Sequence, residues 1–289
     1  MLLRKDHQEV IPQQIRNFVV LRKIGDGGMA TVYLVRNLTD SKLYAMKVLH
    51  QSLLAKKRVH HRFFQEANTQ MRLHHPNIIK CYDLNVESDH YYLVMEYIPG
   101  PSLHSIISKS TGPIPSNYAV PWFCQILSAI NYAHHEGVIH RDIKPSNILV
   151  IGFNQHLSGG EILKAGDFGI AKIIGRDGRT EAGAKLGTPY YMSPEQVRDS
   201  RDVDMRSDIY SLGIIFFQML SGRLPFRITS NEFNVMTQII NDPIPDPRTF
   251  YPDIPEHLIR VINKATHKKA AYRYSGCQEF AEALSFKDI

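Results

Sequence analysis

Near residue 98 the apolar pattern of the chain changes its period, and that switch restricts the fold more than any single motif does. Before it, segments 18–23 and 31–36 read as strands flanking a glycine-rich turn, and 43–49 reads as a third strand after the Thr39-Asp40-Ser41 turn. A basic amphipathic segment, 54–73, interrupts the strands and ends at His75-Pro76-Asn77. Strand-like 78–84 and 91–97 complete a small antiparallel sheet of five strands. After Pro99-Gly100-Pro101, Tyr118, Trp122, Ile126, Ala129, Ile130 and Ala133 recur at helical spacing, and further helices are expected at 205–221, 231–241, 255–266 and 278–285. Strands followed by helices give an α+β chain of two lobes, a smaller one over 15–98 and a larger one over 99–289, behind a flexible leader at 1–14.

With 289 residues, 43% of them apolar and 21% charged, the chain can fill one large core or two smaller ones. A net charge of +6 is a weak pointer to any partner, and the densest basic run, Lys56, Lys57, Arg58, His60, His61 and Arg62, reads first as a solvated helix face. No nucleic-acid partner is expected. The three cysteines, Cys81, Cys124 and Cys277, are widely separated and form neither a disulfide framework nor a zinc spacing. Residues 1–10 lack the apolar core of a signal peptide, and the longest apolar-rich run, 212–220, falls far short of the roughly 20 residues that span a bilayer. A cytoplasmic chain without membrane contact is therefore expected.

Gly25-Asp26-Gly27-Gly28-Met29-Ala30-Thr31-Val32 lies between two strands, where its backbone can fold over a phosphate chain and offer N–H groups. An ordinary hairpin tip has the same composition, so the loop alone leaves both readings open. It is neither a Walker loop nor a Rossmann turn, because a strand follows it rather than a helix. Lys47 stands inside the apolar strand Ala45-Met46-Lys47-Val48, where its ammonium needs a carboxylate or phosphate partner unless it snorkels to solvent. Glu66, in the following helix, is the nearest acidic residue downstream.

The most informative stretch is His140-Arg141-Asp142-Ile143-Lys144-Pro145-Ser146-Asn147-Ile148-Leu149-Val150, followed by Gly166-Asp167-Phe168-Gly169. In order and approximate spacing, the glycine loop, strand lysine, helix glutamate, these two motifs and Ser193-Pro194-Glu195 resemble the protein kinases. The wording of the glycine loop and of the segment starting at Asp167 is most similar to the eukaryotic-like (Hanks-type) Ser/Thr kinases of bacteria, and the likeness runs from about residue 18 to residue 284.

The resemblance implies a bilobal kinase fold that uses ATP and Mg²⁺. It assigns Asp142 as the catalytic base, Asn147 and Asp167 as metal ligands, Lys47 paired with Glu66 as the grip on the α- and β-phosphates, and Lys144 as stabiliser of the γ-phosphate. Lys144 and Gly187-Thr188-Pro189 point to Ser or Thr acceptors on proteins. Ile24, Val32 and Ala45 would lie above the adenine and Leu149 below it, with Met95 as gatekeeper and Glu96 to Ile98 as hinge. Arg141 before the catalytic Asp implies a regulatory phosphate on the activation segment. Elimination among its hydroxyls leaves Thr180, with Thr188 in a structural role. Autophosphorylation there would use a transient homodimer.

Asp208 resembles the family's buried carboxylate that holds the catalytic loop, and Arg273 the partner of Glu195. Two other classes compete with an active protein kinase. A pseudokinase scaffold is opposed by intact Lys47, Asp142 and Asp167, and a small-molecule kinase by Ser193-Pro194-Glu195 and Gly187-Thr188-Pro189. Three features depart from the common pattern: Ala30 in place of a third glycine; Gln70 where an apolar residue is usual, expected to loosen its helix; and a long hairpin, 150–164, containing Gly159-Gly160. Ser102 and Gln218 stand where arginine-selecting kinases carry acidic residues, so no strong basic preference is expected.

Overall fold

A computed structural model describes residues 13–28, 30–51, 57–87, 90–168, 189–198, 203–227 and 231–285. These form two compact units, one drawn from Met1–His61 and Cys81–Tyr97, the other from Arg62–Lys80 and Ile98–Ile289.

The first unit is an antiparallel sheet of β1 (Gln14–Ile15), β2 (Phe18–Asp26), β3 (Ala30–Asn37), β4 (Leu43–Leu49), β5 (Cys81–Glu87) and β6 (His90–Glu96). Its strand order is β1-β2-β3-β4-β6-β5, one strand more than the sequence reading gave. The added strand is two residues long, too short to carry a period. It turns back through Arg16, whose φ is +47°, to pair with Phe18 and Val19. Residues 1–12 of the expected leader lie outside the described residues. Alternation puts Tyr33, Val35, Met46, Tyr92 and Val94 on one face, where they cluster with Ile15.

In the second unit, α1 (Lys57–Arg72) contributes its larger part, from Arg62 onward. Gln70 on this helix is buried and its Nε2 donates to the Ile79 carbonyl at 3.2 Å, while its Oε1 has no hydrogen-bond partner among the described residues. The amide is thus anchored at one end and desolvated at the other, a costlier arrangement than an apolar side chain in the same space.

The rest of this unit comprises α2 (Leu103–Ser105), running into a π-turn (Ile106–Thr111), α3 (Ser116–His135), the hairpin β7 (Ile148–Ile151) and β8 (Ile162–Ala165), α4 (Pro194–Arg198), α5 (Met205–Ser221), α6 (Glu232–Asn241), α7 (Glu256–Ala265) and α8 (Cys277–Ser285). The helix α5 is buried on nearly every side and forms the axis of the core, with Phe123, Phe216 and Phe280 packed ring against ring. Gly100 lies so close to β7 that a Cβ would fall 1.9 Å from the Val150 carbonyl oxygen, so only glycine lets this segment run beside the hairpin. Among the described residues no helix is long and apolar enough to cross a membrane.

The hairpin the sequence left unexplained is closed by Glu161. Its buried carboxylate accepts hydrogen bonds from the Ser158 and Gly159 N–H groups at 2.6 and 2.8 Å, from the Ser158 hydroxyl at 2.9 Å and from Trp122 Nε1 at 3.3 Å. Burial opposes ionisation, but these donated bonds outweigh it and hold the carboxyl below its ordinary range. Gly159, at φ +84°, supplies the turn that aims its N–H inward.

Candidate active site

In the first unit, Val32 pairs with Lys47 and Lys47 with Leu93, while Leu34 pairs with Ala45 and Ala45 with Met95. Since side chains alternate, Val32, Ala45, Lys47 and Met95 share one face of the sheet, opposite the Tyr33-Met46-Val94 cluster. Four residues expected to meet a nucleotide are thereby brought to one surface. Lys47 is 8% exposed. Glu66, its expected partner, falls within α1, and its side chain lies outside the described residues, as does Met29.

The glycine loop is the tip of the β2–β3 hairpin, closed by a hydrogen bond from the Gly27 N–H to the Ala30 carbonyl at 3.0 Å. Gly25 stands opposite Val32, and Ile24 is exposed at 36%. A Cβ added at Gly28 would meet nothing within 4 Å, so the packing of the protein itself does not require glycine there; close approach of a ligand would. The phosphate contact expected of this loop is through its backbone N–H groups, while the side chains of Asp26 and Thr31 engage each other and their neighbours. They face each other across the strands, and the Asp26 carboxylate accepts from Lys23 Nζ at 2.6 Å and from the Thr31 hydroxyl at 3.0 Å. Lys23 first, then Thr31, lowers the Asp26 pKa. Thr31 pairs with Val48, on the face opposite to Val32 and Lys47, and its Oγ1 lies 3.1 Å from His50 Nε2.

In the second unit the loop bearing Asp142 is held from below. Asp208 is fully buried on α5, where Oδ1 accepts the Arg141 N–H and Oδ2 the His140 N–H, each at 2.8 Å. His134 Nε2 on α3 donates to the same Oδ2 at 2.8 Å, a third support that sequence reasoning did not identify. The His140 ring is fixed as well. Its Nδ1 accepts the Asp142 N–H at 3.4 Å, which leaves Nε2 as the donor to the Gly166 carbonyl at 3.1 Å. The ring also packs against Phe168 at 4.6 Å between centroids.

So supported, Asp142 presents a carboxylate 26% exposed, with Lys144 Nζ at 2.6 Å from Oδ2. The Nδ2 of Asn147 donates to the Asp142 carbonyl at 3.1 Å, and the Asn147 carbonyl accepts the Gly166 N–H at 2.9 Å, tying this loop to the segment that carries Asp167. With its nitrogen anchored, the Asn147 amide turns its oxygen the other way, where it accepts a long bond from the Ser146 hydroxyl at 3.5 Å. Asp167 adds a carboxylate on a backbone at φ +59°, a conformation that non-glycine residues adopt at a cost. Two oxygen donors of this kind suit a hard divalent cation carrying phosphate. Leu149 lies on β7, bridged to Ser102, and Ile98 is buried at the start of this unit's second stretch. Thr180, Thr188 and Gly169 lie outside the described residues.

Glu195 and Arg273 form the expected pair, with NH1–Oε1 at 2.7 Å and NH2–Oε2 at 2.8 Å. Burial pushes against the charge on Glu195, but the guanidinium and the Ser207 hydroxyl overcome it and hold its pKa at about 2. Gln218 does not face outward as a selectivity position; its Oε1 accepts the Tyr191 hydroxyl at 2.6 Å.

A family model described as "Protein kinase domain" matches residues 18–285. The serine/threonine-protein kinase PrkC of Bacillus subtilis is 37% identical over 262 residues, which make up 91% of this chain and 39% of PrkC. The serine/threonine-protein kinase pkn3 of Myxococcus xanthus is 39% identical over 272 residues, 92% of this chain and 49% of that protein. The chain thus spans half or less of the length of these curated relatives. Among solved structures, the PknI kinase domain of Mycobacterium tuberculosis superposes with a TM-score of 0.70 at 26% identity, covering 94% of this chain and 96% of that one.

Proposed function

The chain belongs to the protein kinase family, in its bacterial Hanks-type Ser/Thr branch, a family that uses ATP and a divalent metal, and from that premise we propose that it transfers the γ-phosphate of ATP to Ser or Thr hydroxyls of proteins with Mg²⁺ as the metal. The observation that carries the reading is the Asp142 carboxylate, partly open to solvent and paired with Lys144 at 2.6 Å, on a loop whose backbone Asp208 holds by two N–H groups.

Asp142 Oδ accepts the hydrogen of the acceptor hydroxyl and aims its oxygen. As that oxygen bonds to phosphorus, the bond to the β-phosphate oxygen breaks, ADP leaves, and the hydroxyl proton remains on Asp142 until it passes to solvent. Lys144 lies beside that carboxylate and supplies positive charge to the transferring group. When the metal is bound, Asn147 and Asp167 would be its ligands, and Lys47, on the face shared with Val32 and Ala45, would take the α- and β-phosphates with Glu66 as its expected partner. Mg²⁺-bound ATP supplies a phosphoryl group whose charge is already partly neutralised. The family membership supports Ile24, Val32, Ala45, Met95, Glu96, Ile98 and Leu149 as the residues that would meet the base, and Gly25, Asp26, Gly27, Gly28, Met29, Ala30 and Thr31 as those that would cover the phosphates.

The substrates are proteins. Ser102, standing just after the hinge where arginine-selecting kinases carry an acidic residue, supports a preference that is not basic. A transient homodimer serves autophosphorylation at Thr180, and the chain acts in the cytoplasm. The reading is tested by following ADP release over many turnovers, which is expected to require both Mg²⁺ and an added protein acceptor. Sustained release without any acceptor would make the chain an ATPase and overturn it.

A further inference from the structure

Ser193-Pro194-Glu195-Gln196 opens α4 with a capping box. The Ser193 hydroxyl accepts the Gln196 N–H at 3.3 Å, and Gln196 Oε1 accepts the Ser193 N–H at 2.9 Å. Glutamate serves that purpose as well as glutamine, since only the oxygen is used. What glutamine adds is a donor, and here the donor is engaged: Gln196 Nε2 reaches across 55 residues of sequence to the Arg141 carbonyl, at 2.8 Å.

That carbonyl belongs to the peptide joining Arg141 to Asp142. Arg141 is held at φ +63°, in the left-handed region. Its own N–H is bound by Asp208 at 2.8 Å, and the Asp142 N–H, on the same peptide as that carbonyl, faces His140 Nδ1 at 3.4 Å. Gln196 fixes the carbonyl of that peptide, so the peptide immediately before the Asp142 side chain is gripped on both edges. Without the Nε2 contact, a backbone in an unfavourable conformation loses one of the bonds that hold it there.

The geometry points to Gln196 as a positioning residue for Asp142: one amide ties the N-terminus of α4 to the catalytic turn and sets the direction of its carboxylate. This rests on the reading of Asp142 as the group that aims the acceptor hydroxyl. Gln196→Glu keeps the capping box and replaces the donor by an oxygen facing the Arg141 carbonyl; Gln196→Met removes both functions.

In a rapid-quench assay with Mg²⁺-ATP and a protein acceptor, Gln196→Glu is expected to slow the transfer step ~10- to 100-fold, as slight misplacement of a catalytic group does. Its melting temperature and its KM for ATP should stay near those of the unaltered chain. Gln196→Met should lose transfer rate and melting temperature together. A transfer rate in Gln196→Glu equal to that of the unaltered chain would overturn the inference, because a residue needed only for the capping box is satisfied by glutamate. So would a loss in Gln196→Glu that merely tracks a fall in melting temperature. Absence of transfer by the unaltered chain would instead bring down the underlying reading, and this inference with it.

Discussion

Asn in place of Asp142 is expected to slow phosphoryl transfer about a thousandfold while leaving the fold and the affinity for ATP unchanged, the range set by removal of a positioned acid–base group. The substitution is isosteric. The 2.6 Å contact to Lys144 needs only an oxygen, which the amide retains, and the backbone atoms of residue 142 that bond His140 and Asn147 are untouched. The loss therefore arises where the acceptor hydroxyl must give up its hydrogen, since an amide oxygen is a far weaker base than a carboxylate. Rapid-quench kinetics measure the transfer step, calorimetry measures ATP binding, and thermal melting checks the fold. A fall in kcat and kcat/KM together, without a change in ATP affinity, identifies an interaction made in the transition state. Equal transfer by both proteins would remove Asp142 from the mechanism.

Arg273→Met is expected to cost about 3 to 5 kcal/mol of stability at pH 7, because it leaves Glu195 charged, mostly buried and without its main partner. Arg273 binds more than Glu195. Its NH1 also donates to the Arg206 carbonyl at 2.8 Å and its Nε to the His267 carbonyl at 2.7 Å, so a single side chain joins α4, the start of α5 and the loop after α7. The pH dependence carries the clearer signature. The Glu195 pKa, ordinarily 4.5, is about 2 in the folded protein, a depressed value. Its contribution is fully present above pH 4.5 and is lost as pH falls toward 2, amounting to roughly 3 kcal/mol by proton linkage. Urea unfolding at pH 7 and again near pH 3 should therefore show the gap between the two proteins narrowing in acid. A gap of the same size at both pH values would mean that the charge pair is not what Arg273 contributes.

The residues that the family resemblance proposes for the chemistry stand out in the sequence because each motif is a short stretch. His140 to Asn147 is one loop, Gly166 to Phe168 another, and the demand for a carboxylate, a lysine and an amide at fixed spacing leaves little freedom. The strand β4 was legible because Leu43–Leu49 carries its alternation without interruption. What stayed hidden depends on register and on distant partners. The side-chain bond between Asp26 and Thr31 depends on the strand pairing that sets them opposite each other, and residue type alone does not show it. Glu161 is one acid in a glycine-bearing hairpin until Trp122, 39 residues earlier, is placed beside it. Gln70 was expected to loosen its helix, and its anchoring to the Ile79 carbonyl nine residues on could not be read from residue type. Ser193 and Gln196 do leave a local signal, S-x-x-Q ahead of a helix, but the second use of the amide depends on the catalytic turn folding back to meet it.

The most direct measurement is the identity of the residue that receives the phosphate. The chain is incubated with γ-labelled ATP, Mg²⁺ and a protein acceptor bearing serine, threonine and tyrosine, the products are hydrolysed to amino acids, and the label is located. The account predicts label on phosphoserine or phosphothreonine, abolished by Asp142→Asn. Label confined to phosphotyrosine, or ATP bound with no label transferred to any residue, would contradict it.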